Sequence, residues 1–212
     1  MTGVQTCALP ISLPSAAEQA QWTPEKLRAE IEKRGRQLAE LGVTMDFAPV
    51  VDLDSPGPGR VIGDRSFGTD PTEVVQDARV FIEGLLAGGL IPTLKHFPGH
   101  GRAEGDTHKV STSTPPWSDL LERDLVPFRE LAGGHRDIAV MTAHVQIPGL
   151  TGELPASLAR ATYQELRKLG FDGLAITDEL SMQAVSSTHK LPVAVATALE
   201  AGADMALFNG PS

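Results

Sequence analysis

Residues 95–109 read KHFPGHGRAEGDTHK, placing three of the chain's six histidines beside an aspartate, two lysines and glycines at 99, 101 and 105. Imidazoles and carboxylates crowded into a glycine-rich loop suit proton transfer or metal binding more than they suit a core. In GDTH, Asp106 and His108 are two residues apart, so in extended chain both side chains point to one face. Asp106 could then accept a hydrogen bond from one ring nitrogen and fix the tautomer. The other nitrogen would be left to give or take a proton. A lone D-x-H is also what a loop-capping aspartate beside a solvated histidine looks like. Metal is the runner-up on the residues alone, because His96, His100, Asp106 and His108 are all possible zinc ligands. Their spacing matches no zinc signature.

A second candidate lies in GFDGLAITDELSM, where Asp178 directly follows an apolar run. A carboxylate fixed at a strand end can attack the anomeric carbon of a sugar. It can equally cap a helix, with Glu179 and Ser181 as further cap candidates.

The elements that must position these groups alternate along the chain. TPEKLRAEIEKRGRQLAELG has helical spacing of Leu27, Ile31, Leu38 and Leu41, with Thr23 as N-cap, Pro24 in the first turn and Gly42 as the stop. A second helix starts from Asp70 and Pro71 and ends at Gly88–Gly89; a third is expected over Ser118–Ala132. A fourth is expected over residues 157–170 and a fifth over 191–202. Between them VTMDFAPVVDLD, IPTLKHF, DIAVMTAHV, GLAIT and DMALF read as five strands. Strands each separated by a helix imply a parallel sheet with right-handed crossovers. Asp52 and Asp54, Lys95 and His96, His144, and Asp178 and Glu179 stand at the C-terminal ends of four successive strands. In a (β/α)8 barrel those ends converge on one mouth; an open doubly wound sheet would concentrate its site at one switch point. The pattern favours a barrel, but five strands cannot close one.

The bulk numbers fit one medium α/β domain: 212 residues, 41% hydrophobic and 21% charged. A net charge of −9 disfavours a nucleic-acid partner. No apolar run reaches the length of a membrane span. Residues 1–12, MTGVQTCALPIS, lack the basic start and apolar stretch of a signal peptide and read like translated sequencing adapter. The expectation is a non-native segment at 1–12 and a partial barrel domain at 13–212. Cys7, the only cysteine, falls in that segment, which leaves neither disulfides nor thiolate metal sites.

KHFPGHG, GDTH and FDGLAITDELSM together resemble the β-N-acetylglucosaminidases of glycoside hydrolase family 3. MDFAPVVDLD, GDRSFG, MTAHV and LEAGADMALF resemble that family in the same order, from about Leu13 to the end. The resemblance implies an incomplete TIM barrel, strands four to eight, and a retaining glycosidase without cofactor or metal. Asp178 matches the nucleophile, His108 the acid/base and Asp106 its partner. Lys95 and His96 match residues that hold sugar hydroxyls, Arg65 matches an arginine near the sugar, and His144 falls on the pocket wall. The family's DDLSM is DELSM here, so Glu179 is a departure that leaves the first acidic residue in place.

The implied substrate is a terminal β-linked N-acetylglucosamine, with peptidoglycan fragments as its source. A β-glucosidase-like or phosphorylase activity is the nearest alternative; a zinc-dependent hydrolase and a non-catalytic sugar-binding module are alternatives from other classes. The family's DQEGGR-like segment does not occur in the sequence, so a gene fragment, inactive alone and with two unpaired sheet edges, is expected. Relatives occur in the cytoplasm and outside it; the cytoplasm is the default expectation.

Overall fold

The computed structural model describes residues 13–55, 61–104 and 112–209. The segment 1–12 and both members of the GDTH pair, Asp106 and His108, lie outside them.

Caps and prolines start the long helices where the sequence puts them. Helix α1, Ala16–Gln19, which the spacing did not announce, opens with a Ser15–Glu18 capping box. Helix α2, Pro24–Glu40, begins with Thr23 accepting from the Lys26 N–H and buries Leu27 and Ile31. Helix α3, Pro71–Ala87, begins with Asp70 accepting from the Thr72 and Glu73 N–H groups at 2.8 and 3.1 Å. The two helices meet at glycines: a Cβ on Gly88 would stand 2.7 Å from the Gly35 Cα, and one on Gly84 would stand 2.8 Å from the Ile31 Cβ. Gly88 thus packs backbone to backbone on α2 and Gly84 against the Ile31 side chain, and neither position admits a methyl group without a shift of its neighbour.

Strands β1 (Met45–Asp46), β2 (Ile91–Phe97), β4 (Ala139–Thr142) and β6 (Leu174–Thr177) form a parallel sheet in the order β1-β2-β4-β6. Two short strands, β3 (Thr112–Ser113) and β5 (Val145–Gln146), pair parallel in a second sheet. The expected strand over 43–54 is formally two residues long, its pairing with β2 shifting by one residue between Asp46 and Val50. Its backbone still runs beside β2, with Val51 N–H donating to the Lys95 carbonyl at 2.9 Å and a bridge at Val50. The expected strand at 204–208 is likewise reduced to a bridge between Met205 and Ile176.

Two helix expectations need correction. The segment 118–132 is two helices, α4 (Trp117–Glu122) and α5 (Val126–Ala132). Pro127 cannot sit inside a continuous helix and instead occupies the first turn of α5. The fourth helix, α6, spans Arg160–Lys168; Ala156–Leu158 is a separate 3-10 turn, with extended Ala159 between them. Helices α7 (Gln183–Ser186) and α8 (Leu191–Ala201) follow β6.

Among the described residues this parallel α/β sheet does not close into a barrel. Its core joins Leu94 and Phe97 of β2, Val140 of β4 and Ala175 of β6 to Leu85, Phe128, Leu131 and Leu166 on the helices. Phe97 and Phe128 meet edge to face at 5.2 Å.

Candidate active site

The C-terminal ends of β2, β4 and β6 carry Lys95 and His96, His144, and Asp178. Near the end of β2 the register with β4 shifts between Lys95 and Phe97, so His96 is skipped by the ladder. Its N–H is satisfied instead by a side chain from the neighbouring strand. Asp52 Oδ2 accepts from His96 N at 3.0 Å and lies 2.6 Å from His96 Nδ1, while Oδ1 accepts from His100 N at 2.7 Å. Asp52 is fully buried. Burial works to raise its carboxyl, but the His96 imidazole and the N–H groups around it hold it below the usual carboxylate range. His100, packed edge to face against His96 at 5.6 Å, is pushed down to about 4 by burial and by the neighbouring His96 ring.

Asp178 follows β6 directly, and its N–H continues the ladder onto the Thr142 carbonyl at 3.0 Å. Asp178 Oδ1 accepts from the Glu179 N–H at 2.8 Å. The Glu179 carboxylate turns away and accepts from Ser181 N at 2.8 Å and Asn209 N at 3.0 Å. Burial raises the Asp178 carboxyl; His96, His144, the Glu179 N–H and Lys95 outweigh it and hold the group below its ordinary value. Asp178 caps no helix: α7 starts five residues later, at Gln183, with no side-chain cap.

His144 is 1% exposed, and both ring nitrogens are engaged. Nε2 lies 2.9 Å from the Glu179 carbonyl oxygen, so it carries the proton and donates. Nδ1, 2.7 Å from Ser157 Oγ, then accepts. Burial pushes His144 below the usual histidine value, consistent with a neutral ring.

Lys95 and Arg65 line one cavity of about 410 Å³, with Phe47, Phe67 and Gln19 also on its wall. Burial pushes the Lys95 ammonium below the usual lysine value, while Asp178, Asp46 and Asp52 draw it back up. Arg65 sits in a 3-10 turn at Gly63–Arg65 and donates to the Val61 and Ile62 carbonyls at 3.0 and 3.3 Å. Among the described residues no group of three or more His, Cys, Asp or Glu side chains converges as metal ligands would.

The loop leading toward Asp106 and His108 is anchored by Arg102. Its Nε donates to Asp124 Oδ2 at 2.9 Å, and one of its terminal nitrogens also reaches the Asp119 carbonyl at 3.1 Å. Asp124 is buried.

Five sequence-predicted residues thus gather near the strand ends: Asp178, Lys95, His96 and His144 at the ends themselves, with Arg65 lining the same cavity as Lys95. Sequence reasoning placed Asp52 at the same mouth but gave it no partner, and it missed Ser157 and Arg102. The signal for Asp52 was present as an acidic residue ending an apolar strand. Its partners are 44 and 48 residues away and meet it only through strand pairing.

The family model of the glycosyl hydrolase family 3 N-terminal domain matches residues 4–212. The chain is 47% identical over 203 residues to the β-hexosaminidase LpqI of Mycobacterium tuberculosis, covering 92% of this chain and 52% of that protein. It is 39% identical over 179 residues to a β-hexosaminidase of Hydrogenovibrio crunogenus, covering 82% of this chain and 49% of the relative. The crystal structure of a family 3 glycosyl hydrolase from Mycobacterium smegmatis superposes with a TM-score of 0.89 at 48% identity, over 93% of this chain and 62% of that one. The β-N-acetylglucosaminidase of Thermotoga maritima superposes with a TM-score of 0.82 at 35% identity, over 93% and 42%. The chain spans about half the length of the curated relatives it matches.

Proposed function

The chain belongs to glycosyl hydrolase family 3, and on that premise we propose that it supplies the nucleophile half of a retaining β-N-acetylglucosaminidase active site. The observation that carries the reading is Asp178. Its carboxyl stands at a strand end, is held ionised against its own burial, and has Lys95 and His96 as electrostatic neighbours.

Glycoside cleavage passes through an oxocarbenium-like state whose positive charge needs a nearby carboxylate. Asp178 attacks the anomeric carbon and forms a glycosyl ester as the bond to the leaving oxygen breaks. His108, oriented by Asp106, gives that oxygen its proton. The imidazole then takes a proton from water, which attacks the same carbon, releases Asp178 and returns the configuration to its starting hand. Lys95 and His96 hold sugar hydroxyls, and Arg65 faces the sugar across the cavity. His144 supports the Asp178 turn from beneath. The relatives' names support a terminal N-acetylhexosamine as substrate, and peptidoglycan fragments are the source we propose.

The test is a chimera in which this chain replaces the matched 203 residues of the M. tuberculosis relative. The chimera should hydrolyse an aryl β-N-acetylglucosaminide with retention of anomeric configuration, read by proton NMR of the first-formed product. Asp178→Asn should abolish that turnover. A folded chimera without hydrolysis, or undiminished rates in the Asn variant, would overturn the assignment.

A further inference from the structure

We propose that Asp52 is a positioning residue that fixes His96 as its Nδ1–H tautomer and so presents a bare Nε2 as a hydrogen-bond acceptor in the sugar site. The inference rests on the reading of His96 as a ligand of sugar hydroxyls. It goes beyond that reading by assigning the proton on the ring and the residue that sets it.

The argument begins with donors. Asp52 faces the His96 N–H, the His100 N–H and His96 Nδ1 at 3.0, 2.7 and 2.6 Å. The two backbone groups can only donate. A carboxylate that takes two N–H bonds inside the protein is stabilised in its ionised form, and an ionised carboxylate only accepts. The short contact at Nδ1 therefore requires the ring to supply the proton. A neutral imidazole protonated at Nδ1 has a lone pair at Nε2.

The contact at Nδ1 also restrains the ring about its side-chain torsions, because Oδ2 is tied at the same time to the His96 backbone. One carboxylate thereby sets the rotamer, the tautomer and the local backbone of His96.

An acceptor at Nε2 suits a neutral hydroxyl, which brings its own proton. The ammonium of Lys95, next along the strand, suits the oxygen of a hydroxyl instead.

Two measurements test this. Imidazole nitrogen shifts of the 15N-labelled full chain at pH 8, with His96 identified by the signal lost in His96→Gln, report the tautomer directly. Wild type should show a protonated Nδ1 and a bare Nε2, and Asp52→Asn, whose amide can donate to Nδ1, should reverse them. In the chimera, Asp52→Asn should lower kcat/KM by on the order of a hundredfold, the loss expected when a hydrogen bond to a sugar hydroxyl is removed. A wild-type His96 bare at Nδ1, or an Asn variant that keeps the proton there, overturns the inference. Should Asp52→Asn fail to fold, the wild-type tautomer still decides. An inactive wild-type chimera would count against the proposed glycosidase and leave the tautomer measurement to decide the role of Asp52.

Discussion

His144 Nε2 lies 2.9 Å from the carbonyl oxygen of Glu179, the residue that follows Asp178. The same residue's N–H binds the Asp178 carboxylate. His144 and Asp178 thus bond to the carbonyl and the N–H of one residue, Glu179. Replacing His144 with Ala strands the Ser157 hydroxyl and the Glu179 carbonyl in a buried site and leaves a cavity. The expected cost is about 3 kcal/mol, read from the shift of the urea midpoint. His144→Asn, which can restore one of the two bonds, should recover part of it.

Acid should weaken the fold in two stages. His100 takes up a proton at the ordinary histidine value of about 6.5 when unfolded but only at about 4 when folded. Between those values the unfolded chain binds more protons, so stability falls as pH drops through this window, by on the order of 3 kcal/mol in total. Asp52 and Asp178 have depressed folded values, so their contribution is complete above the unfolded carboxylate range and is lost only as pH falls through the lower folded values. Urea midpoints at pH 7.5, 6, 5 and 4 should decline from the first step, and His100→Gln should flatten the early decline. A flat wild-type profile down to pH 4 would refute the buried neutral ring.

Arg102 and Asp124 make a bidentate pair with the carboxylate buried and the guanidinium about one-quarter exposed. Asp124→Asn keeps the shape but leaves a half-buried cation against an amide. The expected loss is about 3 kcal/mol in the denaturation midpoint. Arg102→Met combined with Asp124→Leu should cost less than Asp124→Asn alone, because no unpaired charge remains.

The outer side of β1 has no partner strand among the described residues, and Leu41, Val43 and Phe47 are exposed around it. The opposite edge carries exposed Met205 and Phe208. Unpaired edges with apolar side chains template intermolecular pairing. Sedimentation velocity of the isolated chain should show concentration-dependent association, and Val43→Lys with Met205→Lys should reduce it. A monodisperse monomer at every accessible concentration would contradict the expectation.

Helices α2 and α3 could be read from the sequence because a cap, a proline in the first turn and a buried stripe all agree at the same positions. The break between α4 and α5 was equally written there, in Pro127, which has no N–H to offer a helix interior. The mouth was legible as four strand ends bearing ionisable groups. What those groups do to one another was not. Asp52 reaches His96 only because β1 and β2 lie side by side, and the His144–Ser157–Glu179 bonds join three separate segments. Asp106 and His108 remain a sequence expectation, since both lie outside the described residues.

The glycine crossing between α2 and α3 carries a consequence for precision at the mouth. Helix α2 feeds β1 through residues 41–44, and the chain then reaches Asp52. A methyl group on Gly88 would collide with the Gly35 backbone, so α2 packs directly on the turn that opens β2, and β1 is delivered beside that strand. A slip of one residue would turn Asp52 to the opposite face and leave His96 without its carboxylate. The close packing of two glycines in the helical layer thus supports the strand pairing on which the Asp52–His96 contact depends.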